Sequence, residues 1–405
     1  MRRSAAVPWS SGNTCVETYV ARRRLARAGV LAQLLLLLAG EPAFAQTQQP
    51  VPRVVSPQQA LRAKLNQDTL IVAASRPGTA YLAMADDLAG AVGGSAGFRI
   101  LRIAADGGLG NLRDLLFLRG VDLAIVPANV LAHARATDAF GSGLSQRVAY
   151  VAPLFGEEVH IVVGQSIASI DDLRGKKIAV PLEDGTAQFT AKDVFQRLGV
   201  AFESVPMGST AAVEEVRSGT VAAAFLVAGK PVVSVSGLPK DGSLRLLSLY
   251  FSAALGEGYS PAVLLAEDYP ALIPPDAIVE TIAVRAVLVA NNAKGSEEAA
   301  RRVAKHLPAL FDAISRLAVS QRHPKWKEVN LGAVLPGWSR VAATEVWLSK
   351  ASEQQRRLLQ GQFDEFLRAR KQPASSDLSA AQRKKLFEEF QSWARKSITN
   401  EAAAQ

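Results

Sequence analysis

The sequence predicts an α/β protein of two lobes followed by a helical C-terminal extension. Three observations lead there. The chain has 405 residues, 49% of them hydrophobic, enough for two cores at roughly 100–200 residues per domain. Short β-branched runs alternate with stretches of helical length, the pattern of layered α/β folds. Beyond about residue 340, β-branched residues thin out and charged helical patterns take over.

The elements follow in chain order. Residues 1–45 hold six arginines against Glu17 and Glu41, a local charge of +4 within a total of +9. An apolar run over 30–39, with five consecutive leucines, leads to Ala43-Phe44-Ala45. Basic start, short apolar run and A-x-A site describe a secretory signal peptide, because a membrane-spanning helix needs about 20 apolar residues. Cleavage after Ala45 would leave a periplasmic product of charge +5, without the chain's one cysteine, Cys15. Residues 46–66 are expected as a polar surface leader. Strands are expected at 69–75, 98–104, 121–126, 148–153, 159–163, 177–180, 222–227, 244–248 and 281–289, in parallel layers. Helices are expected at 79–92, 112–118, 129–135, 186–198, 211–218 and 297–317. In the extension, helices over 345–370 and 379–396 are expected against the back of the body, with Leu358, Phe363, Phe366 and Leu367 on one face.

Signatures of chemistry are sparse. Gly93-Gly94-Ser95-Ala96-Gly97 fits G-x-S-x-G, but a helix precedes it and a strand follows, the reverse of a nucleophile elbow. Four dispersed histidines, with no H-E-x-x-H, make no metal motif, and there is neither a Walker loop nor a complete G-x-G-x-x-G. Glu158 and His160 share a strand face and could bind metal or move protons; ion pairing at a lobe boundary is the plainer reading. Charge is dispersed and aromatics are 6%, unlike a nucleic-acid groove. No cofactor and no nucleic-acid partner is therefore expected. What remains are polar turns at strand ends, where open α/β sheets bind ligands: Ser75-Arg76-Pro77-Gly78-Thr79-Ala80-Tyr81, Asp106-Gly107-Gly108-Leu109-Gly110-Asn111, Asn129, and Glu183-Asp184-Gly185-Thr186-Ala187-Gln188. Each opens a helix, and helix N-termini favour anions such as carboxylates.

Glu158-Val159-His160-Ile161-Val162-Val163, Ile170-Asp171-Asp172-Leu173-Arg174-Gly175-Lys176-Lys177-Ile178-Ala179-Val180 and Asp184-Gly185-Thr186-Ala187 resemble the second lobe of type II periplasmic solute-binding proteins. The wider order is more specific. Gly78-Thr79-Ala80-Tyr81, the Gly-Gly-x-Gly-Asn-Leu turn, Val121-Asp122-Leu123-Ala124, Tyr269 with Ile273-Pro274, and Thr281-Ile282-Ala283-Val284 resemble the TAXI group, the solute receptors of tripartite ATP-independent periplasmic (TRAP) transporters. The likeness covers about residues 68–325. It implies lobe 1 at 67–154 plus 255–335, lobe 2 at 155–254, crossing strands near 153–157 and 249–256, and C-terminal helices at 336–405. The implied receptor is a monomer and not an enzyme, closing on a small anionic solute such as glutamate or a dicarboxylate and passing it to membrane permease subunits. Ser75, Thr79, Tyr81, Gly108, Asn111 and Asn129 would meet the ligand from lobe 1, Thr186 and Gln188 from lobe 2. The sequence departs from the family at Ser75-Arg76-Pro77-Gly78 in place of a glycine-rich turn, and at Leu335-Pro336-Gly337-Trp338-Ser339-Arg340 in place of a tyrosine-rich motif. Arg76 could grip a carboxylate with two parallel hydrogen bonds; otherwise it pairs with Asp106 or the leader. Alternatives in function are the same fold serving an ABC importer or a sensory or scaffold role, and, more remotely, an exported hydrolase using Ser95 or His160.

Overall fold

In the computed structural model, residues 56–93, 97–182, 185–293 and 295–369 are described, together with 379, 381–382, 384–386 and 389–390. The expected signal peptide, Ser95 and the Glu183-Asp184 pair lie outside these residues. The elements run α1 (Pro57–Gln67), β1 (Thr69–Ala73), α2 (Ala80–Val92), β2 (Arg99–Ile103), α3 (Gly108–Phe117), β3 (Leu123–Pro127), α4 (Ala128–Ala136) and β4 (Val148–Gly164). They continue with β5 (Lys177–Pro181), α5 (Gly185–Arg197), β6 (Glu203–Met207), α6 (Ser209–Arg217), β7 (Ala223–Ala228), β8 (Leu244–Leu246), β9 (Tyr259–Leu265), β10 (Ile278–Asn291), α7 (Glu297–Ala318) and α8 (Ala342–Ala369). The expected leader is thus helical from Pro57, with no buried residue on it.

One sheet of order β2-β1-β3-β10-β4-β7-β5-β6 runs through the molecule, with β8 on β4 and β9 on β10. The parallel layers expected from the sequence are present as β2-β1-β3 and β7-β5-β6. The sheet as a whole is mixed, because β4 and β10 join those layers through antiparallel pairs. Two strands expected at 148–153 and 159–163 are one, β4, which is buried along nearly all its 17 residues. Its first half pairs with β10 beside β3, and its second half pairs with β7. The strand therefore passes from one lobe to the other, and β10 makes the return.

Hydrophobic packing draws the lobe boundary. Leu70, Leu123, Ile125, Val151, Phe155, Leu288, Phe311 and Trp326 share one cluster. Val159, Ile161, Phe195, Phe225, Leu255, Tyr259, Ile282 and Val284 share another. Residues 255–284 consequently pack with lobe 2, which corrects the expected start of the lobe 1 return at 255. The return crossing is β10 and not 249–256, whose Leu249 N–H donates to Glu280 O (2.9 Å) and whose Leu255 is buried in lobe 2. The architecture is two α/β lobes joined by two crossing strands, β4 and β10.

The C-terminal segment adds to lobe 1. Tyr150 N–H donates to Ser339 O (3.0 Å) and Val341 N–H to Tyr150 O (2.9 Å). Trp347 on α8 then packs edge-on against Phe311 of α7, with centroids 4.8 Å apart. Farther along, Phe363 and Leu367 pack with Phe390 in a separate small cluster.

Candidate functional site

The polar turns singled out in the sequence lie where the lobes meet. A methyl group placed on Gly108 would sit 3.7 Å from both Gly185 O and Val130 Cγ2, so α3 and α4 of lobe 1 and α5 of lobe 2 open toward one place. A methyl group on Gly185 would lie 2.5 Å from Asp106 O. The glycine allows backbone to approach backbone across the seam. None of the three helices has an acidic residue in its first turn, so no carboxylate there opposes an anion, although Val130 N–H of α4 and Gly110 N–H of α3 are already bonded within the chain.

A polar chain ties the seam. Asn129 Nδ2 donates to Thr190 Oγ1 (2.9 Å) and to Tyr259 OH (3.1 Å), while Asn129 Oδ1 accepts from Val130 N (2.8 Å). Tyr259 OH donates to Asp193 Oδ2 (2.6 Å), which also accepts from Arg197 Nε (2.9 Å). Burial, and next the negative charge of Asp193, push the Tyr259 hydroxyl far above its ordinary pKa, so it stays a donor. Gly258 makes this approach possible. Its φ is +97°, and a methyl group there would lie 2.4 Å from Asn129 Cα.

The expected site residues separate into three groups. Gly108, Asn129 and Thr186 are at the seam, and Ser75 follows β1. Ser75 is fully buried and its Oγ has no hydrogen-bond partner among the described residues. Thr186 is equally buried at the opening of α5. Asn111 and Thr79 hold the turns in place: Asn111 Nδ2 donates to Ile125 O (2.8 Å) and its Oδ1 accepts from Gly107 N (3.1 Å). Thr79 caps α2, accepting from Leu82 N (3.4 Å) and donating to Arg76 O (2.8 Å). Three expectations are corrected. Tyr81 is buried in the lobe 1 core, edge-on to Phe155 at 5.9 Å, because its place on α2 faces the core. Gln188 is exposed, one position around α5 from the buried Thr186 and Ala187. Arg76 pairs with Asp106 at 3.1 Å, with side chains 52% and 61% exposed, which is the surface pairing and not a buried grip.

Sequence reasoning missed Thr190, Asp193 and Tyr259. Thr186, Thr190 and Asp193 are spaced i, i+4, i+7, one face of a helix, and that spacing was the available signal.

Glu158 and His160 point to the opposite face of β4 from Val159 and Ile161, as strand alternation requires. There Glu158 accepts from Lys325 Nζ at 2.9 and 3.1 Å and from Lys230 N at 3.0 Å. Lys325 Nζ also donates to Glu328 Oε1 (2.7 Å) and is 2% exposed. This bears out ion pairing at the lobe boundary, with a partner 167 residues away. His160 Nε2 lies 2.7 Å from Tyr269 OH, which accepts from Val232 N (2.9 Å). Burial lowers the His160 pKa to about 3, so the ring is neutral and out of reach of a substrate.

A family model described as NMT1-like matches residues 71–339, about two thirds of the chain. The chain belongs to the NMT1-like family. Among solved structures, it is similar to a protein of Bordetella bronchiseptica RB50, with 17% identity over 71% of this chain and 83% of that one and a TM-score of 0.40. A putative periplasmic sulfonate-binding protein of a sulfonate ABC transporter from Methylobacillus flagellatus KT gives 15%, 64%, 71% and 0.35 in the same order. A TctC solute binding protein from Polaromonas gives 13%, 61%, 88% and 0.36. No curated protein matches the chain.

Proposed function

We propose that the protein is a periplasmic solute receptor of the TAXI kind, capturing a small carboxylate between its lobes and presenting it to a TRAP permease. The observation that carries the reading is the meeting of the α3, α4 and α5 openings across the Gly108–Gly185 contact. Backbone N–H groups of three helices supply an anion site without a buried arginine, and Ser75 and Thr186 supply short hydroxyls from opposite lobes. A solute held by both lobes stabilises the closed form by its differential affinity for that form. The β4 and β10 crossings take up the rotation, and the bulges between Arg285 and Val287 and between Leu288 and Val289 mark where β10 departs from regular pairing.

The TRAP assignment follows the motif order of residues 78–81, 107–112 and 281–284. A TRAP permease gene beside this one would support it, and an ABC permease gene would redirect the same receptor to an ABC importer. The direct test is a thermal-shift screen of amino acids, 2-oxo acids and dicarboxylates. A ligand at 100 times its dissociation constant adds about 2.7 kcal/mol of stability. Shifts confined to carboxylates support the reading; shifts confined to uncharged or cationic solutes contradict it.

A further inference from the structure

Beside the seam, a separate cavity of about 240 Å³ lies between the 257–260 turn, β10 and the C-terminal segment. Val334, Leu335, Pro336 and Trp338 form an apolar wall, and Ala128 and Tyr259 close the side toward the seam. Two charged residues line it, Glu257 and Arg285. Glu257 is neutralised by an ion pair with Arg135, which also lies over the Trp338 ring at 5.3 Å. Arg285 makes no hydrogen bond or ion pair with any described residue, although it stands on a core strand opposite Gly156. Ser260 is beside it, its hydroxyl engaged only by a 3.5 Å contact to Ala283 O. The cavity therefore presents one uncommitted guanidinium, one nearly free hydroxyl and an apolar wall.

We propose that this cavity is a second small-molecule site, taking a monocarboxylate with a compact apolar body: the carboxylate on Arg285 and Ser260, the body against Leu335, Pro336 and Trp338. A planar guanidinium fits a carboxylate with two parallel hydrogen bonds. An apolar chamber with a few placed polar groups is the usual form of a small-ligand site. At about 30 Å³ per water molecule the space equals about eight waters, which suits a branched aliphatic or single-ring acid. This inference goes beyond the receptor reading and stands whether or not the seam binds a solute.

The test uses the whole purified protein with benzoate as probe and benzamide as its uncharged counterpart. Saturation-transfer NMR detects binding, and tryptophan fluorescence follows the titration. Benzoate is expected to bind about ten- to hundredfold more tightly than benzamide, the range for hydrogen bonds to a charged group. Arg285→Gln should bring the two level while melting like the wild type, since the guanidinium has no hydrogen bond or ion pair with a described residue to lose. Arg285→Lys should restore part of the preference, and Trp338→Phe should remove the fluorescence change. Gly185→Ala, which obstructs the seam, should leave benzoate binding intact. Equal affinity for the two probes, an undiminished preference in Arg285→Gln, or no saturation transfer at millimolar benzoate would overturn the proposal. Loss of benzoate binding in Gly185→Ala would place the probe at the seam, overturning the second site and leaving the receptor reading in place.

Discussion

The two faces of the hinge are built from opposite materials. On the face that carries α5, the lobes meet through glycines, helix N-termini and the neutral hydrogen bonds of Asn129 to Thr190 and Tyr259, with one partly exposed ion pair, Arg135–Glu257, alongside. On the other face they are tied by a buried lysine, Lys325, between Glu158 and Glu328, fixed to lobe 1 by Trp326, whose Nε1 donates to Asp87 Oδ2 (2.9 Å). A neutral seam loses little when water replaces its hydrogen bonds, at about 0.5–1.5 kcal/mol each. Separating a buried ion pair costs far more. On the proposed receptor reading, the charged face is the pivot and the face that carries α5 is the mouth.

The largest expected effect breaks the pivot. Lys325→Met leaves Glu158 buried without its cation, and denaturant unfolding should show a loss of about 3–5 kcal/mol. Adding Glu158→Gln should recover most of that loss; failure to recover would mean that Lys325 matters for packing and not for charge. Next comes the mouth. Gly185→Ala puts a methyl group 2.5 Å from Asp106 O, so the two backbones must move apart; the fold should persist while solute affinity falls about tenfold or more, the loss being an obstructed seam.

A third prediction concerns pH on the pivot face. His160 has a folded pKa of about 3, below its unfolded value of 6.5, so the unfolded state binds its proton first as pH falls. Stability should therefore decline between pH 6.5 and about 3 with a slope of up to about 1.4 kcal/mol per unit from this group. Glu158, raised chiefly by burial, contributes the opposite sign from its ordinary pKa upward. Lys325, Lys230 and Asp268 act on the ring from neighbouring elements. The difference in slope between wild type and His160→Gln isolates the histidine, and equal slopes would contradict its buried neutral state. The smallest effect belongs to Arg76→Ala. An exposed pair with Asp106 contributes below about 1 kcal/mol, and solute affinity in titration should be unchanged.

Most strands and helices were legible because period and length agreed. The strands that escaped, β6 and β9, are edge strands holding Pro206 and Pro261, each paired on one side alone. β4 was divided because Pro153 and Gly156 interrupt its apolar run, whereas burial on both faces makes it one crossing. In the candidate site, the helix-opening turns can be read locally, since each follows a strand end in the sequence. Tyr81 and Gln188 were misplaced because a turn motif does not say which way the first helical turn faces. The Lys325–Glu158 pair and the Tyr259 link join residues more than 100 positions apart, and no local pattern encodes such contacts.

The account stands most directly on one titration. The carboxylate giving the largest thermal shift is titrated calorimetrically into wild type and Gly185→Ala. Binding by the wild type, weakened about tenfold or more in a variant that remains folded, is the result expected of lobes closing on an anion at the three helix openings. Equal affinity in the two proteins would contradict capture at that seam.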